Sequence, residues 1–237
     1  LYDRGACARL RSALLAVWEE AGAPVPYARQ PDRPAAGVER CETGFVVHGL
    51  LGFAPQLERG LLDPRAVSAL SEVLGAGLHL ELCAGVVCDH HRPFFRWHTH
   101  HGGIDDELYR RRGERPWVPR IERVAMLVYL EPMTERSGQL KIYPRRVSDP
   151  VEPPFDVDER HWEGEVALTA PAGTVVFLDQ STWHAALPKT DGRALRTFVG
   201  LWFRRADAPP AETCDPSLRQ LEAPDPVLAS VLPPRDG

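Results

Sequence analysis

At Leu78 the spacing of apolar residues changes from a helical period to strict alternation, and it keeps that character for well over a hundred residues. Leu78-His79-Leu80-Glu81-Leu82 alternates, as do Gly85 to Cys88 and Phe94 to His100. Val124 to Leu130 is a fully apolar run suited to a buried strand. Gln139 to Tyr143, Val166 to Thr169, Thr174 to Leu178 and Thr197 to Trp202 follow. Turns rich in glycine and proline separate these short strands, with no helical stretch between them. That pattern predicts an antiparallel sandwich or barrel, an all-β core with flanking helices.

The flanking helices come first. Leu10, Leu14, Val17 and Trp18 recur at helical spacing, so residues 5–21 are read as a helix stopped by Gly22 and Pro24. The stretch from Pro26 to Gly37 reads as loop, and Gly44 to His48 as a short strand. Asp63-Pro64 opens a second helix through Val67, Leu70, Val73 and Leu74, ending at Gly75. Residues 206–237 carry seven prolines between Pro209 and Pro234 and are expected to wrap the surface or stay partly disordered. The expected organisation is one domain: a mainly helical lead-in over 1–75, a β core over 76–205, and the proline-rich tail.

Composition narrows the function classes. A net charge of −5 and a pI near 6.0 argue against nucleic acid as a partner. The basic clusters Arg110-Arg111-Arg112 and Arg145-Arg146 read as solvated loops. Five scattered cysteines without a CxxC pair fit reduced thiols in a cytoplasmic protein. No apolar run reaches the roughly 18 residues of a membrane span.

The chemistry-bearing stretch is Arg96-Trp97-His98-Thr99-His100-His101. In an extended chain alternate side chains share a face, so His98 and His100 point the same way. Two neutral imidazoles on one face are a ready pair of metal ligands. A third, His184, lies far downstream in Ser181-Thr182-Trp183-His184. Trp97 and Trp183, each preceding one of these histidines, should face away from them into packing. His90, His91 and His161 read as loop or surface residues, and Tyr129 and Lys141 as candidates to point into a barrel pocket.

Five features occur in one order: the aromatic-Trp-His segment, the apolar strand ending at Leu130, Ser137-Gly138-Gln139-Leu140-Lys141-Ile142-Tyr143-Pro144, Pro171-Ala172-Gly173-Thr174-Val175-Val176-Phe177 leading to His184, and a basic residue about twelve positions beyond it. Over roughly residues 40 to 205 this resembles the phytanoyl-CoA dioxygenase family of non-haem iron(II)/2-oxoglutarate oxygenases. The resemblance implies a double-stranded β-helix, a cupin-like jelly-roll barrel with a metal in its open mouth. It implies that a facial set of three protein ligands leaves the other positions of the ion to 2-oxoglutarate and O2. His98, His100 and His184 satisfy that topology, with His184 expected on a facing strand, and Arg196 corresponds to the arginine that binds the distal carboxylate of 2-oxoglutarate. Arg193 is the nearby competitor. The implied activity is oxidation of a small organic molecule coupled to conversion of 2-oxoglutarate to succinate and carbon dioxide, of the kind used in bacterial specialised metabolism.

One position departs from the family pattern. Where the family has His-X-Asp, this chain has His98-Thr99-His100. Four readings stand side by side: His100 is a ligand in a three-histidine site; Asp105 or Asp106 swings in after the flexible Gly102-Gly103; the position is unligated, as in halogenases; or iron and catalysis have both been lost and the barrel only binds. The charged segment from Gly102 to Pro119 is expected to lie over the barrel mouth as a lid.

Overall fold

The protein is described here by a computed structural model covering residues 1–100, 120–147, 149, 151–211, 214–222 and 224–233. Helix α1 (Arg4–Glu20) starts where the Asp3 carboxylate accepts a hydrogen bond from the Ala6 amide. It buries Cys7, Leu10, Leu14 and Val17 along one stripe. Helix α3 (Pro64–Leu74), after the short α2 (Leu50–Phe53), is capped by Asp63 and has proline in its first turn. It stops at Gly75, whose φ of 85° suits glycine. Its buried face is Ala66, Leu70 and Leu74, whereas Val73 is exposed, so the helix is rotated slightly from the face that its valines suggest.

Eleven strands form two antiparallel sheets among the described residues. They are β1 (Asp32–Ala35), β2 (Val38–Arg40), β3 (Phe45–His48), β4 (His79–Cys88), β5 (Phe95–His98), β6 (Arg123–Tyr129), β7 (Leu140–Ile142), β8 (Val166–Ala167), β9 (Val175–Asp179), β10 (His184–Ala186) and β11 (Arg196–Arg204). The large sheet has the order β1-β2-β3-β4-β11-β6-β9, and the small one β5-β10-β7-β8. Strand β11 shows why the large sheet is buried on both faces. Val199, Leu201 and Phe203 pack outward with α1 and α3, while Arg196, Phe198 and Trp202 face the interior between the sheets. Helix α1 comes so close to β4 that a methyl group at Gly85 would sit 2.5 Å from Leu14 Cδ1. This is the antiparallel β core expected from the alternating pattern, and it has the jelly-roll form that the resemblance implies.

The outer face of the small sheet carries a separate core of Trp97, Trp162, Trp183 and Ala185. Trp97 and Trp162 stack at 4.2 Å, and the Trp97 indole donates to the Glu159 carbonyl at 3.0 Å. Trp97 and Trp183 thus point away from the adjacent histidines, as strand alternation requires. Lys141 lies on this outer face and not in the interior. Its ammonium sits 5.5 Å over Trp97 and is paired with Glu165.

Two expectations need correction, for the 26–37 stretch and for Arg145, and the tail resolves between its two alternatives. The 26–37 stretch is not all loop: β1 and β2 form a hairpin there, and with β3 they extend the large sheet. The proline-rich tail follows the first of its two expected courses and wraps the barrel surface over its described residues. It forms α4 (Ser217–Gln220) and α5 (Pro226–Ala229), buries Leu218, Leu228 and Val231, and is tied down where the buried Glu81 accepts from the Ala211 amide at 2.8 Å and pairs with Arg123 and Arg204. Arg145 is half-buried and donates to Ser181 Oγ at 2.6 Å, so it is no solvated loop residue.

The turn at Gly173 joins the sheet to the N-terminus: its φ is 81°, and a Cβ there would lie 2.0 Å from the Tyr2 carbonyl oxygen. Both strain and collision oppose any side chain. Gly173→Ala is therefore expected to lower unfolding stability by at least about 2 kcal/mol in chemical denaturation. A loss under about 0.5 kcal/mol would show that this turn does not constrain the barrel.

Candidate metal centre and anion pocket

His98 ends β5 and His184 begins β10, and the two are directly paired across antiparallel strands of the small sheet. They are thus neighbours in one sheet. The expectation that His184 lies on a facing strand is corrected. His100 follows β5 by two residues and keeps the face of His98, with its amide donating to the Gln180 carbonyl at 2.7 Å. The ring centroids of His98 and His184 are 4.1 Å apart, and that of His100 is 5.0 Å from each. One ligand nitrogen from each of the three lies within 4.8 Å of the others.

The hydrogen bonds fix which nitrogen each ring offers. Nδ1 of His98 is 2.8 Å from the Arg96 carbonyl, and Nδ1 of His184 is 2.9 Å from the Thr182 carbonyl. A carbonyl only accepts, so both rings carry their proton on Nδ1 and present an unprotonated Nε2. Backbone carbonyls holding the remote N–H are the usual support of metal-bound imidazoles. Burial, followed by the neighbouring imidazoles, drives the His98 pKa well below its ordinary value. The same burial and His100 push His184 down to about 3. Both rings are neutral donors at pH 7. The approach to His184 is braced as well, since Asp179 accepts from the Ser181 amide at 3.0 Å and Arg145 grips the Ser181 hydroxyl.

The three histidines line one side of a cavity of about 260 Å³ between the two sheets. Its walls are mostly apolar: Leu82, Ala84, Val86, Leu127, Leu140, Phe198 and Trp202. Arg196 and Tyr129 line the same cavity, with the guanidinium 5.0 Å above the phenol ring. Arg196 is only 4% exposed, and its Nη1 has no hydrogen-bond partner among the described residues. Arg193 is exposed on the preceding turn. Burial, partly opposed by Arg196 and Arg92, raises the Tyr129 pKa and keeps the phenol neutral.

The residue that sequence reasoning missed is Arg92, in the short turn between β4 and β5. It is 3% exposed, lines the cavity beside Arg196, and leaves its Nε without a partner among the described residues. A lone arginine in the polar stretch from Asp89 to Pro93 carried no periodicity that marked it as buried. Asp105, Asp106, Arg110–Arg112 and the expected lid lie outside the described residues. His90, His91 and His161 are exposed.

No protein-family model matches the chain, and no curated protein matches it. Solved structures do resemble it. The "non-heme alpha ketoglutarate dependent carbocyclase SnoK from nogalamycin biosynthesis" aligns with a TM-score of 0.62 at 18% identity, over 100% of this chain and 87% of that one. HygX from Streptomyces hygroscopicus, with nickel and 2-oxoglutarate bound, aligns with a TM-score of 0.58 at 15% identity, over 94% and 87%. EctD from S. alaskensis aligns with a TM-score of 0.60 at 18% identity, over 91% and 78%. At these identities the likeness establishes the shared fold.

The two depressed histidines set a pH dependence for the metal-free chain. A group whose folded pKa lies below its unfolded value near 6.5 contributes stability above that value and loses it as pH falls toward the folded pKa. His184 alone then accounts for a loss of about 2 kcal/mol between pH 7.5 and 5. His184→Gln should flatten the denaturation-against-pH curve by about that amount. Parallel curves for the two proteins would contradict a buried neutral imidazole.

Proposed function

We propose that this chain is an iron(II)- and 2-oxoglutarate-dependent oxygenase of the phytanoyl-CoA dioxygenase type, oxidising a small molecule in bacterial specialised metabolism and working in the cytoplasm. The observation that carries this reading is one cavity with two distinct sites. Three convergent imidazoles line it, and so do buried guanidiniums that have no acidic partner among the described residues. Imidazole suits iron(II), and an open facial set of three ligands is the arrangement used by non-haem iron oxygenases. A buried, unpaired cation is costly, and a carboxylate relieves that cost. 2-Oxoglutarate has a chelating keto-acid end and a distal carboxylate, so one molecule can serve both sites. The fold shared with SnoK and HygX supports the same reading.

In this proposal His98 and His184 bind through Nε2, held by their backbone hydrogen bonds, and His100 completes the set. Arg196 takes the distal carboxylate, while Tyr129 beneath it stays neutral. When bound, the iron supplies the oxidising chemistry with 2-oxoglutarate and O2. The apolar wall from Leu82 to Trp202 excludes water and receives the substrate, and the buried indole N–H of Trp202, which has no acceptor, is available to it.

His100 in place of a carboxylate favours two rival readings: a three-histidine dioxygenase that does not use 2-oxoglutarate, and a silent binding barrel. Oxygen-free titration of iron(II) with 2-oxoglutarate separates them. The proposal expects the weak visible charge-transfer band of the chelate; a silent barrel gives none. Arg196→Gln should raise the 2-oxoglutarate requirement about 100-fold, the scale of losing a charge-assisted bidentate contact. Indifference to that change would favour the dioxygenase that needs no keto acid.

A further inference from the structure

We propose that Arg92 and Arg196 form a twin-guanidinium seat in which one carboxylate bridges both side chains, making the site selective for a dicarboxylic over a monocarboxylic 2-oxo acid. This inference rests on the reading above and adds a specificity-determining residue to it. Arg92 comes from the β4–β5 turn and Arg196 from the first position of β11, so the two cations reach the cavity from different elements. Both crowd one glycine. A Cβ at Gly138 would lie 2.8 Å from Arg92 Nη2 and 3.4 Å from Arg196 Nη1, and Gly138 has a φ of 80° that only glycine adopts comfortably.

Two like charges held this close in an apolar cavity repel each other. Burial first, with Arg196 among the other causes, lowers the Arg92 pKa. The protein offers little to relieve that repulsion. Arg92 Nη2 donates to the Leu187 carbonyl at 2.8 Å, and neither arginine has an acidic partner among the described residues. The one carboxylate among the described cavity-lining residues, Glu39, pairs instead with His48 at 3.1 Å. A carboxylate offers about four lone-pair sites and can accept from two forks at once. Arg92 Nε and Arg196 Nη1, the two orphaned nitrogens here, are the donors such an anion would satisfy. A purely structural Arg92, present only to hold Leu187, would not explain its unpaired Nε or its place beside Arg196.

The test uses the whole chain loaded with nickel(II) in place of iron(II), without oxygen, titrated calorimetrically with 2-oxoglutarate and with pyruvate. Pyruvate keeps the chelating end and lacks the distal carboxylate. Arg92→Gln should weaken 2-oxoglutarate about 10- to 100-fold and leave pyruvate within about twofold. Equal affinity for 2-oxoglutarate in both proteins, or an equal loss for both ligands, would overturn the seat. Where Arg92→Gln fails to fold, Arg92→Lys carries the test, because lysine keeps the charge without the fork. A several-fold weakening confined to 2-oxoglutarate supports the proposal, and none overturns it. If wild-type protein takes up neither keto acid, the oxygenase reading fails on its own. The seat is then judged with glutarate, which should raise the melting temperature of wild type but not of Arg92→Gln; no such difference overturns it.

Discussion

The pairing of β5 with β10 is the constraint on which the site depends. It is a short contact, three residues of β10 against four of β5, yet its register places His98 directly opposite His184. A slip of one residue in either strand would turn that strand's imidazole out toward the tryptophan core. Several interactions hold that register. Trp97 and Trp183 are buried on the outer face beside Trp162, and β7 pairs with the other edge of β10, matching His184 to Ile142. Much of the small sheet's apolar content thus serves to fix the orientation of two imidazole rings.

Electrostatics complement that geometry. His98 and His184 are neutral, and the set they form with His100 includes no carboxylate among the described residues, while the same cavity is lined by two buried arginines. Positive charge without a counter-ion among the described residues, inside apolar walls, favours an anionic ligand. A dianion answers that requirement better than a monoanion. The His-X-His motif and the second arginine therefore have to be considered together, because each makes the centre more positive than one carboxylate ligand with a single arginine would.

The sequence revealed the period-2 face of His98 and His100, the outward turn of Trp97 and Trp183, and an antiparallel all-β core, because strand alternation is a local property. It did not reveal what depends on pairing between distant segments. β10 is only three residues long and merges with the turn before it, so His184 was expected on a facing strand when it is a cross-strand neighbour. The β1 strand, Asp32-Arg33-Pro34-Ala35, is exposed throughout and shows no apolar alternation. In the tail the prolines masked Leu218, Leu228 and Val231, whose burial depends on contacts with the barrel. Arg92 was invisible for the same reason: its burial follows from where the β4–β5 turn lands.

The most direct measurement is a crystal structure of the chain grown without oxygen in the presence of iron(II) and 2-oxoglutarate. The account predicts one ion with His98 Nε2, His184 Nε2 and a His100 nitrogen about 2.0–2.3 Å away, the spacing of metal–imidazole bonds. It also predicts the distal carboxylate of 2-oxoglutarate against Arg196. An ion that His100 does not touch, or a co-substrate whose carboxylate points away from the arginines, would contradict it.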